Sequence, residues 1–256
     1  QSQRRCVLPR LTATNALTET TLSHYLNASL AQVQQSPGVK SAAKEHQNAA
    51  TGIMPADIAR ESLLCARFVK INPPKVRVGK STIAGVGCFA VCPIETGEII
   101  TCYPGDAVTF LPPARPIGAK RMGHQGTRGV IWGRHVTKDL RQLTKRLDMY
   151  ALRVDDVYGM IGLPALSDDM SYVGHLMNDG AMLQSGSSRE LSEYSTASTS
   201  RANAGHKCLS GCHVVAVATR PIEAGEEVLV SYGHKYWLSQ QRTRVEMMSQ
   251  LFTSFF

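Results

Sequence analysis

The sequence of 256 residues predicts an α+β protein that is mostly β in its body and helical at its two ends. Three patterns predict this class: apolar residues at helical spacing before residue 70, short β-type runs broken by glycine and proline after Val76, and an apolar helical face near the C-terminus. Apolar residues make up 43% of the chain and charged residues 19%, which is typical of a globular protein and excludes global disorder.

Residues 1–72 are predicted to form a helical N-terminal subdomain. The apolar residues of the segment 22–33 recur every three or four positions, which is the spacing of one amphipathic helix face. A second helical pattern opens at Pro55 and continues to Phe68. The Asn-Pro-Pro sequence at 72–74 then marks a domain boundary.

Residues 73–237 are predicted to form the β domain. Its predicted strands are Val76–Val78, Gly87–Val91, Glu98–Tyr103, Tyr150–Val154, His213–Thr219 and Glu227–Tyr232. The segment 185–201 is rich in Ser and Thr and has no apolar stripe, so a surface loop is predicted there. The last predicted element is a helix that begins near His234, fills residues 238–256 and lays its apolar face on the body.

A basic insertion at about 110–146 interrupts the predicted strands. It contains nine Lys or Arg residues and one acidic residue, Asp139, so it accounts for the whole net charge of +8. Its later part, Thr137–Arg146, is predicted to be a short helix. A segment of this charge attracts nucleic acid or an acidic protein partner, and the alternative interpretation is a solvated charged surface.

The seven cysteines are scattered and odd in number, which predicts free thiols and an intracellular location, nuclear or cytoplasmic. Uncharged apolar runs are only a few residues long, so no membrane-spanning helix and no membrane partner are predicted. His206, Cys208, Cys212 and His213 suggest zinc, but adjacent residues of a strand point to opposite faces and the spacing of structural zinc sites is missing. No metal site is predicted, and buried thiols are the favoured interpretation.

Three segments that follow one another along the chain resemble SET-domain protein lysine methyltransferases. The first is Ser81–Ala90 (STIAGVGCFA) with Pro93–Ile100 (PIETGEII) and Tyr103-Pro-Gly105, which resembles the family's GxG, Phe-Ala, IxxGExI and YxG pattern. The second is Tyr172–Gly180 (YVGHLMNDG), and the third is Arg220–Trp237 (RPIEAGEEVLVSYGHKYW). The resemblance covers residues 76 to 237 and implies a SET fold, with several short sheets and a knotted C-terminal substructure.

The resemblance implies S-adenosylmethionine as cofactor and a protein lysine as substrate, histone or non-histone. It implies that Tyr232 is the catalytic tyrosine. The cofactor-binding residues implied are Gly85, Val86, Gly87, His175, Asn178, Asp179, Tyr236 and Trp237. The residues implied for the lysine channel are Tyr150, Tyr158, Tyr194 and Val230.

The residue types suit these roles, although each also has a structural interpretation. Gly85 and Gly87 permit a tight turn and close approach of the backbone to a ligand, but strand-linking turns use glycine in the same way. Asn178 offers a donor and an acceptor, but an Asn-Asp-Gly sequence is also typical of a turn. The tyrosines and Trp237 are equally typical of a core.

Two positions depart from the family pattern. Asp179-Gly180 stands where the family usually has His-Ser, and His175 stands where it usually has Arg. The cysteine-rich tail of many members is also missing from the sequence, so the C-terminal helix is expected to cover the channel. Val230 stands where many members have an aromatic residue, which predicts di- or trimethylation.

An alternative function remains open at this stage. A catalytically silent SET-like module would use the basic insertion to bind nucleic acid or an acidic protein. Tyr232 and Asn178 favour the enzyme. The substrate protein and the oligomeric state are not readable from the sequence.

Overall fold

The computed structural model describes residues 11–13, 67, 69–110, 129–133, 136–143, 150–154, 158–209 and 213–241. These residues form mostly short strands in four small sheets, with a few helices, which confirms the predicted α+β, mostly-β class. Within the same ranges, no helix has the length and apolarity of a membrane span.

The strands are short, and each of the six predicted runs overlaps one of them, while the other seven described strands were not predicted. They are β1 (Leu11–Ala13), β2 (Val69–Ile71), β3 (Val76–Lys80), β4 (Val86–Ala90), β5 (Ile99–Cys102), β6 (Ala107–Phe110), β7 (Gly129–Trp132), β8 (Ala151–Arg153), β9 (Tyr158–Ile161), β10 (Asn178–Asp179), β11 (Ala204–Leu209), β12 (His213–Ala218) and β13 (Glu227–Val230). The helices are α1 (Lys138–Leu143), α2 (Ser188–Arg201) and α3 (234–241), with 3-10 turns at Pro164–Leu166, Met170–Tyr172 and Gly174–Leu176.

One sheet, with strands in the order β10-β13-β4-β3, brings the three sequence motifs together. Strand β4 pairs antiparallel with β3 on one side and with β13 on the other. The two-residue strand β10 pairs in parallel with β13, so Asn178 lies beside Leu229 and Asp179 beside Val230. The turn before β4, the Asn178 strand and the end of β13 therefore converge.

The main apolar core is built by this sheet, by the sheet β11-β12-β5 and by residues 173–177. Strand β12 is buried along nearly its whole length, as its continuous apolar run predicts. The buried members of the core are Val76, Cys88, Ala90, Ile94, Ile100, Val173, Leu176, Met177, Ala204, Ala216, Ala218, Ile222, Val228 and Val230.

The fourth sheet, in the order β7-β6-β9-β8, includes the described strand of the basic insertion. The predicted helix in this insertion is confirmed as α1, whose Leu140 N–H donates to the Thr137 hydroxyl at 3.3 Å. Residues 111–128, 134–135 and 144–149 lie outside the described residues.

A buried ion pair anchors β6 to the chain before β2. The Arg67 guanidinium donates to Asp106 Oδ1 at 2.8 Å, and the side chain of Asp106 is fully buried. Asp106 Oδ2 also accepts from the Leu163 N–H at 2.7 Å. The Asp106 carboxylate therefore binds both the Arg67 side chain and the backbone just after β9.

The predicted loop at 185–201 is wrong, because residues 188–201 form helix α2. Its N-cap is Ser187, whose hydroxyl accepts from the Glu190 N–H. The inward face of α2 is polar: Tyr194 and Ser198, four residues apart, are its buried side chains. A search for an apolar stripe therefore misses this helix.

Other predictions fall partly or wholly outside the described residues. Strands β1 and β2, which lie outside the two predicted helical patterns of the N-terminal segment, pair in parallel. The predicted helical subdomain stays a prediction. The helical patterns at 22–33 and 55–68 and the end of the C-terminal helix lie outside the described residues, apart from residue 67. Cys208 is exposed on β11, so the prediction of a buried thiol is wrong there.

Candidate active site

The side chains of Glu227 and Asn178 lie close to the backbone of the glycine turn before β4. Gly85 has a φ of +50°, a conformation that side chains with a Cβ rarely adopt. A Cβ on Gly87 would collide with the Glu227 carboxylate and approach Asn178 Nδ2 to 3.0 Å. Glycine is therefore favoured at Gly85 by its backbone conformation and at Gly87 by the position of the Glu227 side chain.

Asn178, at the start of β10, contacts this turn past the intervening strand β13. Its Nδ2 lies 3.2 Å from the Ala84 carbonyl, 3.1 Å from the Val86 carbonyl and 2.9 Å from Glu227 Oε1. The other oxygen of Glu227 accepts from the Ser81 hydroxyl at 3.0 Å. This network presents several acceptor oxygens at the turn, and the sequence reasoning missed Glu227 although it lies in the third motif.

Tyr232 follows β13 and is held at both ends. Its backbone N–H donates to Asp179 Oδ2 at 3.0 Å and its hydroxyl donates to the Met177 carbonyl at 2.7 Å. Its ring packs edge-on against Tyr236, with centroids 4.7 Å apart, and is stacked with Trp237 at 6.0 Å. Burial, followed by nearby Tyr236 and Asp179, raises the pKa of the Tyr232 hydroxyl well above its usual range, so the hydroxyl is protonated.

A second tyrosine, Tyr103, lies close enough to Tyr232 for Tyr232 to affect its pKa. It is buried, and its hydroxyl donates to the Tyr150 carbonyl at 2.6 Å. Burial, followed by the proximity of Tyr232, raises the pKa of Tyr103 well above its usual range. The sequence reasoning quoted Tyr103 only as part of a motif, and the YxG pattern was the signal that pointed to it.

His175 lies in a buried aromatic setting instead of at the glycine turn. Its ring is edge-on to Tyr103 at 6.2 Å and to Tyr150 at 6.1 Å, and a Cβ on Gly162 would strike it. Neither ring nitrogen has a hydrogen-bond partner among the described residues. Burial lowers the pKa of His175 to about 4, although the Asp106 carboxylate acts in the opposite direction. The predicted contact of His175 with a cofactor stays a prediction.

The two buried histidines predict a loss of stability in acid. Burial also lowers the pKa of His206 to about 4. Because an unfolded histidine titrates near pH 6.5, the free energy of unfolding is expected to fall as the pH decreases from 6.5 through 4, by roughly 3 kcal/mol per histidine at full protonation. Urea unfolding measured across this range tests the prediction. His175→Asn should flatten the acid limb and exposed His234→Ala should not; an unchanged slope in His175→Asn would contradict it.

Asp179 is surrounded by donors from its own chain. It is 4% exposed. Its Oδ1 accepts from the Ala181 N–H and the Ser198 hydroxyl, and its Oδ2 accepts from the Tyr194 hydroxyl, the Tyr232 N–H and the Trp237 indole N–H, all within 3.2 Å. Both oxygens of Asp179 thus have internal partners, and its predicted contact with a cofactor stays a prediction.

The other predicted site residues are distributed as follows. The Tyr194 hydroxyl is engaged by Asp179, and Val230 is 1% exposed within the apolar core, so the structure gives neither an open channel surface. The backbone of Tyr158 lies in β9, and its side chain is outside the described residues. Tyr236 and Trp237 pack on Tyr232. The lysine channel and the expected degree of methylation remain predictions.

No group of three or more His, Cys, Asp or Glu side chains in the described ranges is arranged to hold a metal ion. Cys212 lies outside those ranges.

Comparison with known proteins adds the following findings. The model of the SET domain matches residues 85–233, which is more than half of the chain. No curated protein matches the sequence. The crystal structure of a candidate histone methyltransferase from Plasmodium falciparum matches with 18% identity and a TM-score of 0.32, over 64% of this chain and 96% of that chain. Similarity at that level does not establish a shared function.

Proposed function

Because this chain belongs to the SET-domain family, we propose that it is an S-adenosylmethionine-dependent methyltransferase that acts on a protein lysine side chain. The observation that carries the proposal is the convergence of the Gly85–Gly87 turn, Asn178 and Tyr232 through the pairing of β10, β13 and β4. These are the residues on which the family resemblance places cofactor binding and catalysis.

The residues at the glycine turn fit a cationic cofactor. The Glu227 carboxylate and the Ala84 and Val86 carbonyls lie around Asn178, so the turn offers acceptors and negative charge. The absence of a side chain at Gly87 lets the Glu227 carboxylate and Asn178 lie directly against the turn. S-adenosylmethionine carries positive charge on its ammonium and sulfonium groups, and when bound it supplies an electrophilic methyl group.

The aromatic residues of the site explain how the amine of the substrate lysine is kept neutral for methyl transfer. An incoming amine must be neutral, with its lone pair directed at the methyl carbon, and a buried aromatic setting disfavours the ammonium form. Tyr232 and Tyr103 contribute protonated hydroxyls to such a setting, and neither gives up its proton near neutral pH. The Tyr232 hydroxyl oxygen also offers a weak acceptor for polarised CH groups. In this mechanism the chain positions and desolvates the amine and forms no covalent intermediate.

The test is calorimetric titration of the protein with S-adenosylmethionine, combined with transfer of a labelled methyl group to histones and to a cell lysate. Binding and label in lysine support the proposal, and mass spectrometry of the product counts the methyl groups, for which two or three are expected. Absence of cofactor binding in the folded protein would reject it.

Replacing Asn178 by alanine is expected to weaken cofactor binding by roughly 1–3 kcal/mol, because a paired polar group at the turn is lost. Titration of the folded variant measures this. Ser81→Ala is the comparison variant: it removes the hydrogen bond to Glu227 and those accepted from the Ile83 and Ala84 N–H groups, and it leaves Asn178 in place. Its effect on cofactor binding is expected to be smaller. Equal affinities of Asn178→Ala and the wild type would show that Asn178 serves only the turn.

A second candidate function rests on the basic insertion. With nine Lys or Arg residues against Asp139, the segment 110–146 favours an acidic protein or nucleic acid as partner. A catalytically silent module would bind such a partner in a salt-sensitive way and fail to bind S-adenosylmethionine. An enzyme that uses the insertion to capture its substrate would show both properties, and an intracellular location suits either.

A further inference from the structure

The buried carboxylate of Asp179 has no compensating cation among the described residues. The ion pairs formed there by Arg and Lys side chains involve other acids. Burying a charge is costly unless hydrogen bonds replace its hydration, and five neutral donors do so here. The cost of burying this charge indicates that Asp179 has a role other than packing.

Its second oxygen joins three elements at one point. Asp179 Oδ2 accepts at 2.5 Å from Tyr194 on α2, at 3.0 Å from the backbone N–H of Tyr232, and at 3.2 Å from the indole of Trp237 on α3. The backbone of Tyr232 and the ring that stacks on it are thereby fixed to one carboxylate. A rotation of that carboxylate would disturb both.

Helix α2 restrains the Asp179 carboxylate through Ser198, which is fully buried. The Ser198 hydroxyl lies 2.7 Å from Asp179 Oδ1 and 2.7 Å from the Ser231 hydroxyl. A hydroxyl has one hydrogen, so Ser198 donates to the carboxylate and accepts from Ser231. Ser231 is therefore linked to α2 directly, through its hydroxyl and that of Ser198. Tyr232 is linked to α2 through Asp179, which accepts from the Tyr232 N–H and from Ser198.

We propose that Asp179 is a positioning residue for Tyr232, and that helix α2 holds it in the required orientation through Ser198 and Tyr194. The inference rests on the proposed function for its effect on turnover, while its structural part is independent of that function. It assigns a role to the residue by which this chain departs from the family pattern. It also explains why α2 has a polar inward face.

The decisive comparison uses two serines of the same helix. Ser198→Ala removes the link between α2, Asp179 and Ser231. Ser200→Ala is the matched control, because Ser200 is exposed and its hydroxyl bonds only the Ala197 carbonyl in its own helix. Asp179→Asn removes the charge at nearly constant shape, and Tyr194→Phe removes one donor.

Four quantities are measured on the full chain: kcat and KM for lysine methylation, the Kd of S-adenosylmethionine, and the fluorescence of Trp237. The chain has two tryptophans, so a Trp132→Phe background isolates Trp237. Asp179→Asn is expected to lower kcat ~100-fold, as a small misplacement of a reacting group can do, with KM and Kd within about threefold of wild type. Ser198→Ala and Tyr194→Phe are each expected to lower kcat ~10-fold, since each loses one hydrogen bond.

The Trp237 emission is expected to shift in Asp179→Asn and in Ser198→Ala, and to stay unchanged in Ser200→Ala. A purely structural role would lower stability without moving kcat or the emission of the folded protein. The proposal would be overturned if Ser198→Ala and Ser200→Ala had equal kcat and equal Trp237 emission. This comparison decides the question even if Asp179→Asn does not fold. If the wild type transfers no methyl group, the proposed function fails, and the emission of these variants still decides whether Asp179 positions the aromatic cluster.

Discussion

Replacing Tyr232 by phenylalanine is expected to lower the turnover number of lysine methylation at least ~100-fold, because one positioned hydroxyl at the reacting centre is lost. The ring packing on Tyr236 and Trp237 is retained, so the fold and the affinity for S-adenosylmethionine are expected to change little. The hydroxyl also donates to the Met177 carbonyl, and its loss is expected to cost about 1 kcal/mol of unfolding free energy. Single-turnover transfer of labelled methyl groups, with calorimetry of cofactor binding, measures both effects.

Tyr172→Phe is the matched control for this variant. Its hydroxyl is also buried, but it accepts from the Val69 N–H and serves β2. Both variants lose one buried hydrogen bond and should lose a similar, small amount of stability, but only Tyr232→Phe should lose turnover. A turnover number of Tyr232→Phe within about threefold of wild type would remove Tyr232 from its catalytic role.

Replacing Arg67 by alanine is expected to lower the free energy of unfolding by about 3–5 kcal/mol, because it leaves the charge of Asp106 buried without its ion-pair partner. Urea unfolding monitored by circular dichroism measures this loss. Arg189→Ala is the control, since it breaks an exposed pair with Glu193 and should cost less than about 1 kcal/mol. Equal losses in the two variants would mean that the ion pair of Arg67 contributes no more than a surface pair.

Local sequence patterns predicted the strands and the elements of the site well. The run Gly87–Val91 became β4 and Glu227–Tyr232 became β13 with the chain after it, because alternation and flanking glycines are short-range signals. The GxG sequence, Asn178 and Tyr232 were each recognisable for the same reason. Their convergence followed from the resemblance to a family and was not contained in any one motif.

The failures have a common physical cause. Helix α2 was predicted as a loop because its inward residues, Tyr194 and Ser198, are polar and bond a carboxylate far along the chain. The internal partners of Asp179 could not be read from the sequence, because its five donors come from three separate segments that no local pattern connects. Glu227 and Tyr103 were missed as site residues because pairing between distant strands, and not spacing along the chain, brings them there.

The parallel pairing of β10 with β13 has a consequence for how the protein acquires its site. Asn178 and Leu229 become neighbours only after the chain between them, with α2, β11 and β12, has closed into a loop. Pairing across such a separation costs loop-closure entropy before any contact repays it, so it forms late in folding. A nascent chain that ends before Glu227 lacks the strand on which both β4 and β10 pair, so β4 keeps only its pairing with β3 and β10 has no partner strand to hold Asn178 beside the turn. Under the proposed function, binding of S-adenosylmethionine at the glycine turn would therefore report that the pairing of β13 with β4 and β10 is complete.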